Sequence, residues 1–477
     1  MKPKLSEDWL AVCIGLFLFA LSLVSLTGAD LLGWAVTTSV WTNLSKSLAP
    51  AAKAYTGVPG VVSLLATYVF LLALMTFGAK ALGADLARFA KGFTFVFLLA
   101  YVTWIAGSWA YIAATPDKRA AFHIGWSLNL TSEAGFIVAL VAGLLLGNFF
   151  PNQVARLKEA IRPELYIKTA IVLLGGFLGV TAAEQLGLAS SMMFRGLCAI
   201  IEAYLIYWAI VYFIARKYFG FSREWAVPLA SGISICGVSA AIATGSAIKA
   251  RPIVPIMVSS LVVVFAVVEL LVLPFAAQHY LLHQPMVAGA WMGLAVKTDG
   301  AAVTSGAIAE ALIRAKAAAG GIHYQPGWIM GAATTVKVFI DVFIGVWAFV
   351  LAWIWSAKIE PHPGEKVKAI QIWERFPKFV LGYIATFLVI LAVGIMVPHE
   401  ISRIKSAMSE ANVFRGIFFV MTFFTIGAVS DFRKLWQEGI GKLALVYVLC
   451  LFGFIIWVGL AISWIFFHGV TPPLVHG

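Results

Sequence analysis

Two stretches of this chain set ionisable side chains into apolar surroundings. "WMGLAVKTDGAAVTSGAI", Trp291 to Ile308, places Lys297 and Asp299 among hydrophobic residues, with Thr298, Thr304 and Ser305 around them. "TTVKVFIDVFIGV", Thr334 to Val346, holds Lys337 and Asp341 four positions apart, hence on one helical face and able to pair. A charge carried to the middle of a membrane costs at least about 2.5 to 3.5 kcal/mol, so such residues face a cavity or a partner. Their chemistry is then binding: Lys297 can hold an anionic substrate, and Asp299 can take up a proton or Na⁺. The competing reading puts Lys297 and Asp299 near an interface as a snorkelling pair. For Lys337 and Asp341 the separate alternatives are a role in coupling and a pair that only neutralises two buried charges. Glu202 and Glu269 are lone acids inside apolar runs and are candidate proton carriers. Lys168, near the start of its run, reads as an interface anchor.

A third stretch carries small and hydroxylated residues in place of charges. "SGISICGVSAAIATGSAIKARP", Ser231 to Pro252, crowds Ser234, Cys236, Gly237 and Ser239 into what should be mid-membrane depth. "FVMTFFTIGAVSDFRKLW", Phe419 to Trp436, is apolar and then interrupted between Gly427 and Asp431. A break exposes backbone N–H and C=O groups, which survive in lipid only when they line a polar cavity or are buried in protein. The half-helix after a break points free N–H groups and a positive dipole end into that cavity. Hydroxyls of Ser234, Ser239, Thr244, Thr425 and Ser430 could donate to an oxyanion there, with Gly427 allowing close approach. The alternative is close helix packing through small residues.

The elements that must position these residues follow from composition. The 477 residues are 61% apolar and only 12% charged, far from the soluble average of about half apolar and a quarter charged. Apolar runs of about 20 residues recur throughout, predicting an all-α polytopic membrane protein with roughly thirteen spans. The net charge of +12 lies in short clusters between those runs. That is the pattern of topology signals and not of a nucleic-acid surface. The bias predicts a multi-pass protein of the inner membrane, N-terminus in the cytoplasm and C-terminus in the periplasm. Cys13, Cys198, Cys236 and Cys450 have no paired spacing, so no disulfide framework, zinc site or other metal site is expected. The first apolar run reads as a retained helix, since Glu7 and Asp8 spoil the basic start of a leader. Leu31 to Leu48, with Trp34 and Trp41, reads as a helix lying in the membrane surface.

Grouping the spans predicts an N-terminal addition over residues 1–133 with three spans and the surface helix. Residues 134–284 and 285–477 then form two five-span units of opposite orientation, an inverted repeat. Their fourth members are the interrupted segments, 225–250 and 419–436. Matched interruptions in two halves are the best sequence-level pointer to a transport site.

The same residues carry a family resemblance. "SGISICGVSAAIATGSAIKARP" resembles the "GSSICGASAVAAVAPVIKA"-like signature of the sulfate-exporter family, the YeiH-type conserved membrane proteins. "IKTAIVLLGGFLGVTAAE" is similar to that family's "LLRLGVALLGLRL" helix, and "TIGAVSDFRKL" resembles its "ALGLRTDLRKL" segment. The resemblance covers Gly135 to Phe467 and implies a fold akin to the bile acid:sodium symporters. There two broken helices cross at the substrate site, which here would be Ser234 to Ser239 and Thr425 to Asp431. The chain departs from the family where a His-Asp or His-Glu pair is replaced by Lys297-Thr298-Asp299, and where a Lys…Arg pattern reads Lys337…Asp341.

The expected function is secondary active transport of a small anion, a sulfate-like oxyanion, organic sulfonate or carboxylate, by alternating access coupled to H⁺ or Na⁺. Asp299, Lys337, Asp341 and Asp431 are the expected coupling residues. The other readings are a sodium/proton antiporter and a passive anion channel. No HExxH, nucleophile elbow or P-loop is present, so neither an enzyme nor a cofactor is expected. Self-association is left open.

Overall fold

The computed structural model describes residues 5–475 apart from 115–117, 129, 131–133, 185, 252, 360–372, 374–376 and 431–440. Among these, ten helices are long and apolar enough to cross a membrane, or eleven if one sharply bent pair counts as a span. Two further regions, 223–247 and 285–319, hold helices interrupted partway along, so no single helix in them passes as a long apolar span. Chain order runs α1 (Glu7–Val24), α2 (Gly60–Ala81), α3 (Leu86–Gly107), α4 (Ala134–Phe149) and α5 (Pro151–Leu157). Next come α6 (Pro163–Glu184), α7 (Leu186–Lys217), α8 (Arg223–Ser234), α9 (Gly237–Ala247) and α10 (Ile253–Tyr280). Then follow α11 (Pro285–Ala295), α12 (Asp299–Ala319), α13 (Trp328–Ile354), α14 (Phe379–Met396), α15 (Ile401–Val429) and α16 (Gly441–Phe467).

Local chemistry sets several of these boundaries. Ser6 caps α1 by accepting from the Trp9 amide at 3.3 Å, and Glu7 and Asp8 place negative charge at its positive end. Pro151 starts α5 after a 110° turn from α4, where a proline costs no helical hydrogen bond. Glu310 on α12 accepts from the amides of Gly327 (2.7 Å), Ile329 (2.9 Å) and Met330 (3.0 Å), fixing the start of α13.

The segment expected to be a surface helix is instead a hairpin: β1 (Val36–Thr38) pairs antiparallel with β2 (Leu48–Pro50). The β-branched Val36-Thr37-Thr38 run disfavours a helix. Asn43 adds to this by accepting from the Ser45 amide, which holds the chain in a turn.

Among the ten long spans of the described residues, the most buried is α6, packed against α1, α14 and α15. Glycines let these backbones meet. A Cβ on Gly175 would lie 2.3 Å from the Tyr383 carbonyl oxygen, and one on Gly143 would lie 2.1 Å from that of Phe424. Lys168 is no interface anchor. It is buried in α6, 2.8 Å from Asp8 and 3.2 Å from Glu164. Glu7 similarly pairs with Arg162. The two acids that make α1 a poor leader therefore tie it to the body. Asp8→Asn should lower the thermal midpoint of purified protein, because Lys168 loses a charged partner; an unchanged midpoint would deny that tie.

Candidate functional site

Two interrupted helix pairs cross at their breaks. After α8 the chain leaves helical geometry at Ile235 (φ −103°, ψ −85°) and Cys236 (φ −140°, ψ 116°), and α9 starts at Gly237. After α11 it does so at Val296 (φ −82°, ψ 126°) and Thr298 (φ −99°, ψ 146°), and α12 starts at Asp299. The Gly237 N–H donates to the Lys297 carbonyl at 2.7 Å, joining one break to the other. Glycine is required at 237 by proximity: a Cβ there would lie 2.2 Å from Val262 Cγ1 and 3.2 Å from Thr298 Cγ2. Thr298 caps α12, accepting from the Ala301 amide at 3.2 Å.

Buried charges meet the exposed backbone ends. Lys337 Nζ donates to the Ile235 carbonyl at 2.9 Å and the Lys297 carbonyl at 3.3 Å, and stands 3.6 Å from Asp299 Oδ1. Those carbonyls belong to the breaks that follow α8 and α11, at the negative ends of the two helices, where a cation is stabilised. Asp299 sits at the positive end of α12 and accepts from the Cys236 thiol at 2.7 Å. Asp341, one turn beyond Lys337, is buried, and its Oδ1 has no hydrogen-bond partner among the described residues. Polar atoms of Cys236, Asp299 and Asp341 all lie within 4.8 Å of one another, close enough to share a cation. Ser234 Oγ, Thr304 Oγ1 and Ser305 Oγ are likewise buried without partners among the described residues, while Ser239 on α9 is half-buried.

The Lys297 side chain points away from this crossing. Its Nζ donates to the Leu294 carbonyl and lies 4.5 Å from the Tyr207 ring centre. Its amide donates to Glu269 Oε2 at 3.1 Å, and Tyr447 donates to Glu269 Oε1 at 3.2 Å. Glu202, buried on the π-helical turn Ile201–Tyr207, lies beside the same Tyr207. Lys297 thus links two polar centres, carbonyl in one and side chain in the other. The sequence singles out both acids but not Tyr207 and Tyr447, which resemble ordinary core aromatics until their partners are seen.

The crossing partner differs from the one expected. The α15 helix is unbroken through Thr425 and Gly427, with Ser430 at its end, and Asp431 lies outside the described residues. Thr425 Oγ1 donates to the Met421 carbonyl at 2.7 Å and Ser430 Oγ to that of Ile426 at 2.7 Å, so both hydroxyls serve their own helix. A Cβ on Gly427 would lie 2.4 Å from the Leu140 carbonyl oxygen, which makes this glycine a packing residue against α4. The break that meets Cys236 is at Val296–Thr298, where two charges interrupt an apolar run.

Residues 91–446 match the family described as Conserved hypothetical protein 698. A UPF0324 membrane protein of Nitrosomonas europaea is 42% identical over 98% of this chain and 97% of its own length. A protein of Archaeoglobus fulgidus, named only as uncharacterized, is 50% identical over 31% of this chain and 91% of its own. A UPF0324 membrane protein of Nitratidesulfovibrio vulgaris is 28% identical over 83% of this chain, and the match spans 62% of that longer relative. No solved structure matches the chain.

Proposed function

The chain belongs to the Conserved hypothetical protein 698 family, with UPF0324 membrane proteins among its relatives, and on that premise we propose that it is a proton-coupled secondary transporter of a small anion. Residues 1–133 are an N-terminal addition, and residues 134–284 and 285–477 are two five-span units of opposite orientation. The protein lies in the inner membrane, N-terminus in the cytoplasm and C-terminus in the periplasm. Counting the bent pair and both interrupted pairs as spans brings the total to thirteen. The resemblance to the sulfate-exporter family and to the bile acid:sodium symporters belongs to this reading.

One observation carries the proposal. The N-terminal ends of α9 and α12 converge beside Lys337, with two carboxyls and a thiol in the same buried space. When Asp299 and Asp341 are protonated, Lys337 and the two helix dipoles leave the centre positive, and an anion can be taken out of water there. Without such compensation its burial would be prohibitive. When both acids ionise, one negative charge balances Lys337 and the second expels the anion. Anion and protons therefore bind together. Lys337, in place of Lys297, is the cation that faces the substrate.

The closeness of Asp299 and Asp341 favours a second reading, cation–proton exchange, in which Na⁺ lies between the two carboxylates. Currents from proteoliposomes on a solid support separate the two. Jumps in sulfate, sulfite, thiosulfate, taurine or small dicarboxylates are expected to evoke currents that saturate and grow with an imposed proton gradient. Currents on Na⁺ jumps alone would establish exchange, and flux that neither saturates nor responds to the gradient would establish a channel.

A further inference from the structure

A cavity of about 320 Å³ opens beside the far end of α12, bordered by Arg314, Ala318, His323, Tyr324 and Val475. That is the lower end of the range for small-molecule pockets, about 300–1,000 Å³. Arg314 lies about 22 Å from Asp299 along the axis of that helix, at about 1.5 Å per residue. The cavity is therefore a separate place from the crossing. One wall is residues 473–475, held by main-chain pairing. The Gln325 amide donates to the Pro473 carbonyl at 2.8 Å, and the Val475 amide to that of His323 at 2.8 Å.

We propose that this cavity is a docking site for an organic anion with a sulfonate or carboxylate head and a short uncharged body. The inference rests on the reading of the protein as an anion transporter and narrows its substrate class. With the C-terminus in the periplasm the cavity faces that side, so the anion is concentrated there before it reaches the crossing.

The bordering groups suit such a ligand. Arg314 Nε donates to the Tyr324 carbonyl at 2.9 Å, which fixes the guanidinium plane and leaves both Nη groups without an acceptor among the described residues. A guanidinium presents those groups as a fork that matches the paired oxygens of a carboxylate or sulfonate. His323 adds a ring N–H, and Ala318, Tyr324 and Val475 supply apolar surface for the body of the ligand. No acid borders the cavity among the described residues. Glu310, one turn before Arg314, is occupied by the amides of Gly327, Ile329 and Met330. An ammonium group on the ligand would thus find no partner, and a bare sulfate would leave most of the space to water.

Calorimetric titration of the purified full chain in detergent tests the site. The probe is isethionate, and the comparison is taurine, which carries an ammonium group where isethionate has a hydroxyl. The background is Lys337→Met with Asp299→Asn, which silences the crossing. Isethionate is expected to bind this variant more tightly than taurine or sulfate does. Adding Arg314→Gln is expected to weaken isethionate at least about tenfold, the loss of a charge-assisted pair. Ala318→Trp, which fills the cavity from an uncharged wall, is expected to weaken it as well, and serves if Arg314→Gln does not fold. Added phosphatidylglycerol is expected to leave the affinity unchanged, which separates a free anion from a lipid headgroup. Displacement by that lipid, taurine bound as tightly, or an isethionate affinity that neither substitution alters overturns the docking site. If isethionate binds as expected and no anion evokes a current, the transport reading fails and the site stands. If currents saturate and isethionate does not bind the background variant, the site fails and the transport reading stands.

Discussion

Lys337→Met is expected to abolish anion-evoked current and to lower the stability of the purified protein, while Lys337→Met combined with Asp299→Asn regains stability without regaining current. The single change leaves Asp299 as a buried charge without its cation and removes the donor to the Ile235 and Lys297 carbonyls. Removing one member of a buried pair costs about 3–5 kcal/mol, mostly from the charge left behind. Neutralising Asp299 as well removes that charge, so thermal unfolding of the double variant should approach wild type. Transport should stay lost, because the cation that meets the anion and one of the two acids that carry protons are both gone. Normal current in the single variant would refute the assignment of Lys337, whatever the melting curve.

Gly427→Ala is expected to destabilise the protein by about 1–3 kcal/mol or more, the range for overpacking a tight interface. The added methyl would sit 2.4 Å from the Leu140 carbonyl oxygen and 2.7 Å from the Leu144 nitrogen. Backbone atoms inside a helix cannot swing aside as a side chain can, so α4 and α15 must part. If Gly427 lined the substrate path, as its place in an interrupted apolar run suggests, the same change would raise KM and leave melting untouched. A wild-type melting profile with altered KM would restore the substrate role and refute the packing one.

Much of the fold is legible in the amino-acid sequence. Mean hydropathy of +0.94 and recurrent apolar runs require helices that cross a membrane, since lipid offers the backbone no other partner. The interruption at Ile235–Cys236 is legible too, because Ser234, Cys236, Gly237 and Ser239 are poor filling for a lipid-facing helix. Pairing that interruption with Gly427–Asp431 follows from position within the expected halves. Composition cannot reveal that Thr425 and Ser430 turn their hydroxyls back onto their own carbonyls. Nor can it reveal that the KTD triplet, Lys297 to Asp299, is itself the second break.

Sequence alone determined the class of molecule, the burial of Lys297, Asp299, Lys337 and Asp341 and one of the two crossing segments, because these depend on what each residue costs in hydrocarbon. Tertiary structure alone decided which charges meet. Lys337 rather than Lys297 reaches the crossing because two carbonyls from different helices converge on its ammonium group. Asp8 reaches Lys168 although 160 positions separate them. Such partners are set by how the helices pack, and a linear pattern carries no record of which helix faces cross.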